Sequence, residues 1–247
     1  MGTVTIPVTA PACDVWWAAP SAASPALLAL LDEEERRRHA RYQQAADRDR
    51  YVVAHALARL LCAEEAGCAP EEVGFELRCG HCDRPEPHGK PHPVGPAAGL
   101  EISISHSGGR VVVALTRQVP VGVDVEEVRA SRDIDGLGDY VLTPTEQAAL
   151  KALSGRERVS GFFTYWARKE ALLKATGEGL AGGLTSVEVS GPDTTAAVLS
   201  WNSPAAPADV ALEDLEAGED YRAALALLAP GPVRVRVHDA AALLSAG

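Results

Sequence analysis

Four consecutive pieces of the chain set the fold class: Leu100-Glu-Ile-Ser-Ile-Ser-His-Ser107, the pair Gly108-Gly109, Arg110-Val-Val-Val-Ala-Leu115 and Val119-Pro-Val-Gly-Val-Asp-Val-Glu126. The first alternates apolar and polar residues, the glycine pair signals a turn, and the two valine-rich runs read as further strands. Three strands in succession predict a meander. Upstream, Leu27, Leu28 and Leu31 run into an acidic and then basic stretch, and Val52, Val53, Leu57, Leu60 and Leu61 recur at helical spacing until Gly67. Residues 78–99, rich in Gly, Pro, Cys and His, carry neither period and read as a loop. Downstream, Thr143-Pro144-Thr145-Glu146 opens one helix and a second is expected from about Arg156 to Ala175. Ser186-Val-Glu-Val, Ala223 to Leu228 and Val233-Arg-Val-Arg-Val-His look like strands. Helices followed by strands thus occur twice. This predicts an α+β protein of two halves, residues 1–118 and 119–247, joined near Arg117 to Pro120, although no sequence repeat marks a duplication.

Composition narrows the function. The 247 residues hold 34 acidic and 23 basic side chains, and 23 − 34 leaves −11 formal charges with the seven histidines neutral. With 47% hydrophobic and 23% charged residues the chain has an ordinary globular make-up. The acidic total argues against bulk nucleic-acid binding, which needs several lysines or arginines on phosphates. Apolar runs such as Ala18 to Leu31 contain proline and fall short of the roughly 20 residues a bilayer needs, so no membrane span is expected. Met1-Gly-Thr-Val-Thr-Ile-Pro lacks the features of a secretory leader, and five cysteines make an odd number, so a reducing cytoplasm is the expected compartment.

Three constellations carry chemistry. In Val121-Gly-Val-Asp-Val-Glu126, period-two geometry puts Gly122, Asp124 and Glu126 on one strand face and Val121, Val123 and Val125 on the other. Two carboxylates aimed the same way, roughly 7 Å apart along the backbone, suit a hard cation such as Mg²⁺ that shares oxygen ligands with phosphates; the plain alternative is a solvated strand face. On the second helix Trp166, Glu170 and Lys174 recur at i, i+4 and i+8 with Lys169 at the edge of the stripe, which fits a catalytic face or simple packing with an ion pair. In Ile104-Ser-His-Ser-Gly-Gly109, His106 between two hydroxyls could donate to a phosphate or serve only the turn.

Together these blocks resemble the phosphopantetheinyl transferase superfamily, and specifically its Sfp-like, surfactin-synthetase-activating branch. The residues behind the likeness are Val121-Gly122-Val123-Asp124 and Trp166-Ala167-Arg168-Lys169-Glu170-Ala171-Leu172-Leu173-Lys174, with Ser105-His106-Ser107 and Gly89-Lys90-Pro91 in the same order as in the family. The likeness covers about Gly89 to Leu184, with a looser helical resemblance from Arg36 to Arg59. It implies two similar α/β halves packed as a pseudo-dimer, with the active site at their interface and a monomeric chain.

The implied activity moves the 4′-phosphopantetheine arm of coenzyme A onto a serine hydroxyl of an acyl or peptidyl carrier protein and releases adenosine 3′,5′-bisphosphate. Asp124, Glu126 and Glu170 would ligate Mg²⁺, with Mn²⁺ as a substitute. Glu170 would accept the carrier serine's proton, directly or through a water, and Lys174 would stabilise the leaving group with Lys169 assisting. Ser105 and His106 would contact phosphates, and Lys90, Arg50 and Arg38 would hold the 3′-phosphate and adenosine end. The chosen carrier could belong to fatty acid, polyketide or nonribosomal peptide biosynthesis, and would dock on an apolar or basic strip near the cleft that includes Arg37, Arg38 and Arg41. The rival reading is a coenzyme A or nucleotide-binding regulatory module without transferase activity. Cys79, Cys82, His88 and His92 have a spacing that could close a zinc site; the preferred reading is a reduced loop without zinc, and a zinc-stabilised interaction protein is the second rival.

Overall fold

The computed structural model describes residues 10–79, 88–179, 183–204 and 206–246. In order, the chain forms β1 (Ala12–Ala18), α1 (Pro25–Leu30), α2 (Glu33–Arg41), α3 (Ala45–Ala66), β2 (Gly74–Arg78), β3 (Lys90–Val94), β4 (Leu100–Ser107), β5 (Arg110–Arg117) and β6 (Val121–Glu127). There follow α4 (Ile134–Val141), α5 (Pro144–Lys151), α6 (Gly155–Thr176), β7 (Val187–Val189), β8 (Val198–Trp201), β9 (Ala211–Leu215), β10 (Tyr221–Leu227), β11 (Arg234–Asp239) and α7 (Ala241–Ala246).

Two larger sheets carry the α+β architecture, one ordered β11-β1-β5-β4 and the other β6-β10-β9. Each is covered on its outer face by a 22-residue helix, α3 on the first and α6 on the second. Both helices stop at a left-handed glycine, Gly67 and Gly177, where a side chain would be strained. The inner faces of the sheets meet. Alternation along β5 sends Val111, Val113 and Leu115 towards Leu57 and Val53 of α3, while Val112 and Ala114 pack on Val121, Val123, Val125 and Leu225 of the second sheet. The strand is therefore apolar at almost every position, because both of its faces are buried.

The two valine faces of β6 and β5 fall as the period-two reading requires, but the meander does not form. β5 pairs with β4 and β1, whereas β6 pairs with β10 and becomes the edge of the second sheet. The link from Gln118 to Pro120, with Gln118 at φ 59°, passes the chain from one sheet to the other. Residues 90–94, read as loop, are a strand instead, paired antiparallel with β2. Pro91 and Pro93 hid it; two residues apart, they leave the amides of Lys90, His92 and Val94 to face the partner. The strand expected at Val233 to His238 is present as β11, but it crosses the 118/119 division and pairs parallel with β1 of the first half.

Candidate active site

The seam between the halves is where edge strand β4 lies alongside edge strand β6. Side chains bridge it. Ser103, Ser105 and Ser107 alternate on one face of β4, and their hydroxyls accept the amides of Val123, Val125 and Glu127 at 2.9, 3.3 and 3.1 Å. Ser105 donates in turn to Asp124 Oδ1 at 2.8 Å and Ser107 to Glu126 Oε2 at 3.0 Å. The carboxylate face of β6 is turned to α6, and Gly122 makes this close approach feasible: a Cβ there would lie 1.9 Å from the Ala171 carbonyl oxygen.

From α6, Trp166, Glu170 and Lys174 project along the predicted stripe into the same cleft. Lys174 Nζ donates to Asp124 Oδ1 at 2.7 Å and to the Val123 carbonyl at 3.2 Å. The cleft, about 440 Å³, is lined by Ser105, His106, Asp124, Glu126, Glu170 and Lys174 among others. A second hollow of about 700 Å³ shares Gly89, Pro91, Ile104, Glu170 and Lys174 with it, so Glu170 and Lys174 stand on the ridge between the two.

Burial pushes the Glu170 carboxyl up to about 7; the Lys174 charge pulls against the shift, and Asp124 and Glu126 add to it. Glu126 is raised above the ordinary carboxylate range by burial and by the Asp124 charge, with the Ser107 hydroxyl pulling back. Burial also holds His106 down to about 4, helped by the charges of Lys174, Arg50 and His55, so the imidazole is neutral at pH 7. The site thus concentrates more negative charge than its partners balance. Asp124 Oδ2 and Glu170 Oε1 are both buried without a hydrogen-bond partner. Among the described residues no group of three or more His, Cys, Asp and Glu forms a ready metal cluster. The fit of a divalent cation rests on those two unpartnered oxygens and on the oxygen-only chemistry of Asp124, Glu126 and Glu170.

The other residues read from the sequence separate into three groups. Arg38 and His106 line the cleft, Arg38 with its Nε 3.2 Å from Glu34 Oε1. Arg50 lies behind the β4–β5 turn, donating to the Gly108 carbonyl at 2.9 Å and pairing with Asp47. Lys90 and Lys169, expected at the phosphates, use their ammonium groups inside the protein. Lys90 Nζ reaches the carbonyls of Val121 and Ala175 at 3.1 and 3.2 Å and pairs with Glu101 at 3.2 Å, tying β3 to the second half. Lys169 is fully buried on the far side of α6, bonded to the carbonyls of Val141 and Leu184 at 2.8 and 3.0 Å and paired with Glu146 at 2.5 Å. Ser105, expected on a phosphate, spends its hydroxyl on Asp124 and the Val125 amide.

Sequence reading missed Ser107 as a carboxylate partner and missed the aromatic wall of Tyr42, Tyr51 and His55 opposite α6. The serine signal was there in the alternation of β4; the wall had none, since its residues sit on α3 and its approach. Of the four zinc candidates, Cys82 lies outside the described residues, while Cys79 and His88 line the larger hollow and His92 lies on β3.

Residues 120–226 match the model of the 4′-phosphopantetheinyl transferase superfamily. The 4′-phosphopantetheinyl transferase HetI of Nostoc sp. is 30% identical over 153 residues, 61% of this chain and 60% of that protein. The 4′-phosphopantetheinyl transferase of Bacillus subtilis is 28% identical over 149 residues, 60% of this chain and 61% of that protein. The chain therefore spans about six tenths of the length of these curated relatives. A holo-(acyl-carrier-protein) synthase of Bacillus anthracis, crystallised with coenzyme A, superposes with a TM-score of 0.40 at 22% identity over 46% of this chain and 98% of its own. Residues 120–226, which hold both the carboxylate strand and the helix of Glu170, carry this chain's similarity to the 4′-phosphopantetheinyl transferase superfamily.

Proposed function

We propose that this chain transfers the 4′-phosphopantetheine arm of coenzyme A to a serine hydroxyl of an acyl or peptidyl carrier protein. The observation that carries this reading is the convergence of Asp124, Glu126, Glu170 and Lys174 on one cleft, with two buried carboxylate oxygens lacking partners. An unsatisfied buried polar group costs on the order of 1–3 kcal/mol. A cation bound between the carboxylates offsets that cost.

In this reading Asp124, Glu126 and Glu170 hold Mg²⁺, which, when bound, neutralises charge on the coenzyme A diphosphate during phosphoryl transfer. The chain's own groups do the rest. The Glu170 carboxylate, with one oxygen toward the cation, takes the proton of the carrier serine directly or through one water. The serine oxygen forms a bond to the phosphorus that bears the pantetheine arm. The bond from that phosphorus to the bridging diphosphate oxygen breaks, and its electron pair leaves on adenosine 3′,5′-bisphosphate. Lys174, about a quarter exposed beside Asp124, meets the charge gathering on that leaving group. Neutral His106 donates to a phosphate oxygen, and Arg38 at the cleft wall faces the adenosine end. The enzyme acts as a monomer, both walls of its cleft coming from one chain, and in a reducing cytoplasm that keeps Cys13 and Cys62 as buried thiols.

Intact-mass measurement of an apo carrier protein incubated with the chain, coenzyme A and Mg²⁺ tests the reading. A phosphopantetheine adduct is expected from the unaltered chain. Glu170→Gln should slow transfer by about 10²–10⁴-fold, with coenzyme A affinity by calorimetry changed far less. A carrier panel left unmodified, with coenzyme A still bound, would favour the regulatory binding module.

A further inference from the structure

The serines of the seam do more than join the halves. A hydroxyl has one proton to give and two lone pairs. At Ser103, Ser105 and Ser107 one lone pair is taken by a β6 amide, and this fixes where the oxygen sits. At Ser105 and Ser107 the remaining proton goes to a carboxylate of the residue that precedes that amide. Backbone register between the two edge strands is thereby converted into carboxylate orientation.

The two carboxylates differ in how much they rely on this device. Asp124 Oδ1 has Lys174 Nζ as a second partner at 2.7 Å and is 4% exposed. Among the described residues the Glu126 carboxylate accepts its one hydrogen bond from Ser107, at the free end of a longer side chain. Glu126 also has another direction open to it, because a small hollow of about 110 Å³ on its far side is lined by Arg129 and Arg132 as well as by Ser107 and Trp166. Without an anchor, its carboxylate can turn towards those two guanidinium groups and out of the cleft.

We infer that Ser107 is a positioning residue: by coupling the Glu127 amide to the Glu126 carboxylate it holds that carboxylate in the cleft as a cation ligand and away from Arg129 and Arg132. The inference rests on the proposed cation site at Asp124, Glu126 and Glu170 and deepens it. Partners behind a metal ligand are worth about 10–100-fold in metal affinity. Removing the hydroxyl should therefore weaken divalent-ion binding while sparing the fold.

The test is Mn²⁺ affinity of the full chain, without coenzyme A or carrier, measured by electron paramagnetic resonance, with the thermal unfolding midpoint recorded for each variant. Ser107→Ala should raise the Kd for Mn²⁺ about tenfold or more, and Ser107→Thr, which keeps the hydroxyl, should stay near the unaltered chain. Ser103→Ala is the control. It loses the same kind of amide bond at the same seam, but Ser103 donates to neither carboxylate, so its Kd should not move. An unchanged Kd in Ser107→Ala, or an equal rise in Ser103→Ala, would overturn the positioning role and leave the cation site standing. Failure of the unaltered chain to bind Mn²⁺ at all would instead remove the cation site and the inference with it. A second readout is Arg132→Ala combined with Ser107→Ala, which should recover part of the lost affinity by removing the competing charge.

Discussion

Glu35 illustrates how far a single side chain's setting departs from what its neighbours in sequence suggest. It sits in an acidic run and would be read as solvated, yet its carboxylate closes a capping box with Asp32 and accepts from Arg59 at 2.6 Å and His55 at 3.1 Å. Burial alone would raise its pKa, but the His55 hydrogen bond and charge, the Arg59 charge and the Asp32 amide outweigh it and hold the carboxyl down to about 2. Its folded pKa is depressed, so the stability it contributes is present above its ordinary value of 4.5 and is lost as pH falls towards 2. Glu35→Gln should therefore flatten the acid limb of the stability curve between those values and lower stability at pH 7 by about 1–3 kcal/mol, as read from urea midpoints against pH. At this scale the sequence was informative where a period fixes direction: alternation alone put Gly122, Asp124 and Glu126 on one face of their strand. It was uninformative for Lys169 and Lys90. Lys169 adjoins Glu170 in the chain, but one residue turns a helix by about 100°, which carries the lysine out of the cleft and into the second core.

Among the elements, α6 shows the most division of labour. One stripe feeds the cleft with Trp166, Glu170 and Lys174, while the opposite side buries two cations. Arg168 binds Asp214 and the carbonyls of Ser190 and Thr194, and Lys169 binds Glu146 and two carbonyls, so the helix is fastened to β9, α5 and the segment around Leu184. A buried ion pair contributes little over an apolar pair, but removing one member strands the other charge, at about 3–5 kcal/mol. Lys169→Ala should destabilise the protein by that order in thermal or urea unfolding, because Glu146 would remain buried at 2% exposure. In preparations kept below the unfolding midpoint, coenzyme A affinity should remain near that of the unaltered chain. A large loss of affinity in folded Lys169→Ala protein would return Lys169 to the phosphate-binding set. Helix ends were legible for a local reason: Gly67 and the Thr143-Pro144-Thr145-Glu146 cap each act within a few residues. β3 escaped notice because its prolines belong to a two-stranded ladder whose partner lies outside any local window.

Across the whole molecule, the two halves could be read from the order of helices and strands, but the closure that locks them together could not. Parallel pairing of β11 with β1 joins residues more than 220 positions apart, and no sequence window spans that distance. The register sets Asp14 opposite Arg236 and Trp16 opposite His238. Those pairs are also chemical ones: Arg236 and His238 bond the Asp14 carboxylate, and the His238 ring stacks on Trp16 at 4.3 Å. Beyond β11, Leu244 enters the core under α3, while Val233 and Val235 pack on the core between the sheets. The C-terminal segment thus touches the core under α3 and the core between the sheets, while contributing none of the described residues that line the cleft. Removing residues 230–247 should leave every proposed catalytic group in the chain and still cost activity, through exposure of the β1 edge and of apolar surface on both sides of its sheet. The expected outcome is a lower unfolding midpoint and greater aggregation on warming. Addition of a separate peptide spanning residues 230–247 should restore part of the midpoint in proportion to its concentration, since a ligand that binds only the folded state stabilises by mass action. A truncated chain that melts where the full chain does would mean that the first sheet is closed without β11.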